Sequence, residues 1–231
     1  MIYENIQPAY FVSRPNRFIA EVRLAGPEGP QGEILRVHVK NTGRCRELLK
    51  EGSRVILSRA ANPNRKTAYD LIGVYREDGP FFNIDSQAAN QVTGEWLRDL
   101  NYFDEIRPEY RIGNSRIDFW MKRGDQPYLL EVKGCTLVRE GIGYFPDAPT
   151  ERGIKHLKEL AGLAGQGYKC AVGFVIQTEG VTKVLPNMET HPAFGQALKE
   201  AEEAGVNVLY LPCRVGEDFL RIDEKTLWPD Q

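Results

Sequence analysis

The chain has 231 residues, 27% of them charged, and a formal net charge of −2, an ordinary globular composition with room for one large domain or two small ones. No run of about 18 apolar residues occurs, so no membrane span and no membrane partner is expected. The start, MIYENIQPAYF, lacks the charged and apolar regions of a signal peptide, and a cytoplasmic protein is expected.

Cys45, Cys135, Cys170 and Cys213 form no CxxC pair, so they read as reduced core residues rather than zinc ligands. HExxH, GxSxG and P-loop motifs are missing, which argues against zinc proteases, the commonest serine hydrolases and P-loop nucleotide hydrolases. Charge is unevenly spread. Residues 1–76 hold 13 Lys+Arg against 7 Asp+Glu, a net of +6, which leaves −8 for the rest. A basic front and an acidic back suggest a polyanion for one and a metal for the other.

In chain order, residues 1–86 read as all-β. Tyr10–Val12, Phe18–Leu24, Ile34–Val39, Arg54–Ser58, Tyr69–Tyr75 and Phe81–Asp85 are short apolar runs, with a turn-forming loop at Ala25–Gly32. About five strands in under 90 residues fit an OB-type barrel, a fold that often binds nucleic acids. Two loops carry the basic groups: Lys40–Arg46, with Asn41, Thr42, Arg44 and Arg46, and Arg59–Thr67, with Arg65 and Lys66. These side chains donate hydrogen bonds to phosphate oxygens; the plain alternative is turn chemistry with solvated charges.

Residues 87–100 read as a helix with Val92, Trp96, Leu97 and Leu100 on one side. Glu95 beside that stripe either reaches a metal in the neighbouring sheet or is solvated. Arg116–Met121 and Tyr128–Lys133 read as paired strands around a polar loop, and one register brings Asp118, Glu131 and Lys133 onto one surface. Two carboxylates suit magnesium or manganese, and a nearby ammonium suits phosphate charge. A surface ion-pair ladder is the alternative. Further on, Glu151 to about Ala164 reads as a helix capped by Thr150 or Asp147, with Ile154, Leu157, Ala161 and Ala164 as its core face and His156 on the surface. Lys169–Gln177 reads as a central strand buried on both faces, Phe194–Ala204 as a helix ended by Gly205, and Asn207–Leu211 as a strand. Alternating strand and helix here argue a mixed α/β domain.

The runs NTGRCREL, NPNRKTAYDL, RIDF, LLEVKGCTL and GYFPDAPTERGIKHLKEL resemble the sugar fermentation stimulation protein A family over nearly the whole chain. The resemblance implies DNA-binding proteins implicated in sugar, notably maltose, metabolism. It also implies a mixed α+β and α/β architecture, with an N-terminal OB-type β-barrel at residues 1–86 and a restriction-endonuclease-like α/β domain at residues 87–231. That superfamily uses an Asp, then Glu or Asp, one residue and a Lys. Asp118, Glu131 and Lys133 match this pattern, and Glu95 resembles its upstream helical acid. Ile117 stands in place of a variable proline, and Lys40 and Cys45 stand where Pro and Met are expected, while Pro186–Phe194 is less typical and carries no site.

The leading expectation is binding of DNA, duplex or single-stranded, without strong sequence preference, since no groove-reading helix-turn-helix is evident. The runner-up is a magnesium- or manganese-dependent nuclease, with Asp118 and Glu131 on the metal, Lys133 assisting the water and Glu95 supporting either. A third reading is a binding protein for another phosphorylated ligand. Self-association into a homo-oligomer is left open.

Overall fold

The computed structural model describes every residue except Thr42, Pro63 and Asn114. The first six strands are β1 (Ile6–Asn16), β2 (Ile19–Gly26), β3 (Gly29–Val39), β4 (Arg54–Arg59), β5 (Tyr69–Tyr75) and β6 (Phe81–Asn83). They lie in the order β3-β2-β1-β4-β5-β6. A further parallel pairing of β3 with β5, His38↔Asp70 and Val39↔Leu71, closes β1–β5 into the OB-type barrel. Alternation explains the inward set: Ala9 and Phe11, Ala20 and Val22, Val37 and Val39, Val55 and Leu57 are all buried in one cluster. The expected Ala25–Gly32 loop is mostly hairpin. Strands β2 and β3 stay paired out to Gly26↔Gly29, and only Pro27 and Glu28 turn the chain.

Strands β4 and β5 are buried on both faces, and the reason lies in the second half of the chain. Ile56 and Ile72 point away from the barrel interior and pack with Ala88, Ala89 and Val92 of α1 (Ser86–Asp99). After α1 come β7 (Glu105–Ile112), β8 (Ser115–Arg123), β9 (Gln126–Cys135), β10 (Leu137–Arg139), β11 (Ile142–Phe145) and α2 (Glu151–Ala164). The chain closes with β12 (Lys169–Ile176), β13 (Val184–Pro186), α3 (Pro192–Glu203), β14 (Asn207–Val215) and β15 (Leu220–Ile222).

A six-stranded sheet in the order β15-β14-β12-β9-β8-β7 forms the second core. Its centre, β9, β12 and β14, is parallel, and its edges are antiparallel. Helices α2 and α3 cover one face through Leu157, Leu160, Phe194 and Ala197; α1 covers the other through Ala89, Val92 and Trp96. Strand β12 is therefore buried on both sides, as its unbroken apolar run requires. A small sheet, β10-β11-β13, lies beside it. All four cysteines are free and buried. No helix among the described residues is long and apolar enough to cross a membrane.

A buried polar chain joins the two halves. Lys40 Nζ reaches Asp85 Oδ2 at 3.0 Å and Asp70 Oδ2 at 3.5 Å. Asp70 also holds Arg65 in a two-pronged pair, at 2.7 and 3.1 Å, and His38 Nδ1 at 3.0 Å. Asp85 caps α1 by accepting from Gln87 N at 2.9 Å, and Gln177 Nε2 donates to Asn83 Oδ1 at 2.8 Å and to Asp85 O at 3.0 Å. Burial pushes the Asp70 carboxyl up, but Arg65, His38 and Lys40 outweigh it and leave it below the usual range.

Removing one partner would strand buried charge. Lys40→Met should cost roughly 2–4 kcal/mol in urea denaturation. A depressed carboxyl contributes stability that is present above its unfolded value near pH 4 and lost as pH falls through its folded value. Asp70→Asn should therefore flatten the acid limb of a stability–pH curve measured below about pH 4.

Candidate active site

The pairing of β8 with β9 ends at Phe119↔Leu130, one step short of Asp118 and Glu131. Freed from the ladder there, Val132 N–H is taken by Asp118 Oδ2 at 2.7 Å. Asp118 Oδ1 accepts from Asn90 Nδ2 of α1 at 2.8 Å. The carboxylate is thus fixed from the sheet on one side and from a helix on the other.

Glu131 is 2% exposed. Its Oε1 receives Lys133 Nζ at 2.6 Å and the His156 ring through Nδ1. Arg152 Nε donates to His156 Nε2 at 3.3 Å, which makes that nitrogen the acceptor and leaves the ring proton on Nδ1, facing Glu131. Glu131 Oε2 is buried with no hydrogen-bond partner. A buried carboxylate oxygen without a donor is an unusual and costly state that a cation relieves.

The two acids are pushed in opposite directions. Burial, and after it the charge of Glu131, raises the Asp118 carboxyl above its ordinary value. Burial raises Glu131 too, but the His156 hydrogen bond and the Lys133 ammonium outweigh that and bring it below. A site with one reluctant and one ready carboxylate is the arrangement seen where acids share a task.

A cavity of about 420 Å³ opens over these groups, and its lining takes in Asn90, Asp118, Glu131, Lys133, Arg152 and His156. A second cavity of about 380 Å³ shares Ser86, Val132 and Lys133 with it and runs on to Arg17, Asn41 and Gly43 of the barrel. The barrel loop and the acidic pair therefore open onto one cleft.

Three sequence expectations are corrected in placement. Glu95 is not at this site: its Oε2 meets the N-terminal ammonium at 2.5 Å, and it lines a separate cavity with Trp96 and Arg221. The helical residue that reaches Asp118 is Asn90, on a different side of α1. His156 is no surface residue; it is buried against Glu131. The buried set of α2 is Gly153, His156, Leu157 and Leu160, a frame that the spacing of Leu157 and Leu160 would have allowed. Third, Arg65 is spent on Asp70.

Of the other basic-loop residues, Arg44, Arg46 and Lys66 are exposed, and Thr42 lies outside the described residues. Asn41 is buried, its Oδ1 accepting from Gly43 N at 2.7 Å. The loop's shape is set by Arg14, whose guanidinium donates to the carbonyls of Asn41, Gly43 and Arg44 at 2.7 to 2.9 Å. Among the described residues no three His, Cys, Asp or Glu side chains are grouped to hold a metal. Two carboxylates with an open cavity nonetheless suit a magnesium-like ion, which keeps waters and takes substrate oxygens.

Residues 12–82 match the SfsA N-terminal OB domain, and residues 87–219 match the sugar fermentation stimulation protein RE domain. A sugar fermentation stimulation protein homolog of Desulfitobacterium hafniense is 50% identical over 223 residues, covering 95% of this chain and 94% of its own. One from Clostridium beijerinckii is 46% identical over 225 residues, covering 96% of each. The solved structure of Pyrococcus furiosus SfsA in complex with Ca2+ aligns with a TM-score of 0.83 at 28% identity, over 98% of this chain and 96% of that one. By both domains and by close relatives along its length, the chain belongs to the sugar fermentation stimulation protein family.

Proposed function

We propose that this chain binds DNA without strong base preference along the cleft between the barrel loop and the acidic pair, with a divalent cation, magnesium or manganese, held by Asp118 and Glu131. The observation that carries the reading is the shared lining of the two cavities, which runs from exposed Arg17 and the Asn41 and Gly43 stretch of the basic barrel loop to Lys133 and the two acids. Cations at one end track phosphates. At the other end the orphaned Glu131 Oε2 and the raised Asp118 carboxyl favour a bound cation. Calcium in the Pyrococcus furiosus relative is consistent with this donor set.

A second reading, hydrolysis of a phosphodiester, is favoured by the Lys133 ammonium beside Glu131. A bound divalent ion would supply charge stabilisation and an acidified water. The chain's own parts have definite tasks. Lys133 offers donors to a phosphate oxygen, and His156, fixed by Arg152, keeps Glu131 ionised and oriented. Asn90 and Val132 N–H hold Asp118 in place.

Affinity for duplex DNA should fall with salt along a log–log slope of about −0.9 per phosphate neutralised. Combined Arg44→Ala, Arg46→Ala and Lys66→Ala should flatten that slope by about 2–3 without altering base preference, as titrations at several salt concentrations will read. Arg65→Ala should instead lower stability.

The cation has a thermal signature. A raised carboxyl contributes stability that is full below its unfolded value and lost as pH rises through its folded value. At pH 7 in chelator, Asp118→Asn should thus raise the unfolding midpoint, by roughly 2–4 °C. The new amide can still accept from Val132 N–H, while Asn90 turns over to accept from it. Magnesium should raise the wild-type midpoint by mass action and leave Asp118→Asn unmoved; equal responses would sink the cation site.

For hydrolysis, single-stranded and duplex DNA incubated with manganese should show new ends with wild type and at least about 100-fold fewer with Lys133→Ala when both proteins are saturated with DNA. Binding without cleavage under all conditions would leave the second reading without support.

A further inference from the structure

The 380 Å³ cavity that joins the barrel to the acidic site has its own chemistry. Its lining includes Tyr144, Phe145 and Pro149, and two cations, Arg17 and Lys133. Its floor holds buried amides. Asn41 is 9% exposed, and Gln177 is wholly buried. Gln177 commits its Nε2 to the interdomain junction, yet its Oε1 has no hydrogen-bond partner. A Cβ on Gly134 would sit 2.4 Å from that oxygen, so glycine there lets the Gln177 side chain pack directly against β9. Asp147 also lines the cavity, but its Oδ2 is occupied by Cys45 N–H at 2.8 Å.

An aromatic lining and two cations are the needs of one nucleotide: ring faces to stack on and charge for the phosphate. The volume lies in the range that takes a ligand of this size. Phe18 adds a step outside, half-exposed at 50%, with the Arg17 guanidinium 5.4 Å from its ring centroid.

We propose that this interdomain cavity seats a single unpaired nucleotide, base inward, with its phosphate between Arg17 and Lys133 and the next base against Phe18. The inference rests on the DNA-binding reading and narrows its substrate class. A base reaches such a pocket only when it is out of the duplex stack, so the preferred ligand is a single strand or a nucleic acid with a frayed or flapped nucleotide.

The test compares two probes of equal charge on the full chain with calcium present: an oligothymidylate of about twelve nucleotides and an abasic sugar–phosphate chain of the same length, each read by fluorescence anisotropy. With one base stacked, wild type should bind the thymidylate about 10-fold more tightly. Ala148→Trp, a loop position on the cavity wall, should bring that ratio below about 2-fold at unchanged affinity for the abasic chain. Equal wild-type affinity for the two probes, which needs no variant to fold, would overturn the seat while leaving DNA binding standing. A ratio that survives in folded Ala148→Trp would place the base elsewhere and overturn it too. No binding of either probe would remove the seat and the DNA-binding reading together.

Discussion

The barrel and the mixed sheet depend on one short ionic chain, Arg65–Asp70–Lys40–Asp85. Each carboxylate is largely out of water, and each is tolerable only because a cation from the barrel reaches it. Asp85 then spends its other oxygen on the first turn of α1. The helix that supplies Asn90 to Asp118 is thereby anchored to the barrel wall through side-chain charge, while Ile56, Ile72 and Val92 anchor it through packing.

That anchoring explains the asymmetry at the acids. Lys133 and His156 crowd one oxygen of Glu131 and leave the other bare. Opposed shifts of the two carboxyls follow from this crowding, because the donors stand against Glu131 and burial dominates at Asp118. Helix α2 does this work through a histidine whose tautomer an exposed arginine selects.

Much of this was legible in the residues, and the gaps have physical reasons. Period-two alternation identified the barrel strands, and the apolar run at Lys169–Gln177 identified the sheet centre, because burial on both faces leaves no polar positions. The helix over Glu151–Ala164 and its Thr150 cap were readable from Thr150 and the apolar spacing. Register was only half readable. Alternation put Glu131 and Lys133 on one face, but that β8 and β9 part just before Asp118 is a three-dimensional fact. Charged residues misled most. Lys40 and Arg65 look the same in sequence as Arg44 and Lys66, and only the fold shows that two of the four are used internally. Glu95 failed as a site residue because a helix turns about 100° per residue and Asn90 holds the facing position. The sheet β10-β11-β13 was invisible because its strands are three or four residues long and meet across 40 residues of chain.

Most of the barrel's buried residues share one apolar cluster with Leu157 and Leu160 of α2 and Cys170, Val172, Phe174 and Ile176 of β12. This limits how such a protein can be recombined. A barrel transplanted from a relative would bring its own partners for positions 40 and 70, yet positions 85 and 177 would stay with the host. Only donors that agree at all four places, and in the size of residues 56 and 72, would seat without a void or a stranded charge. The two halves can be told apart by topology, but as building blocks they are a matched set.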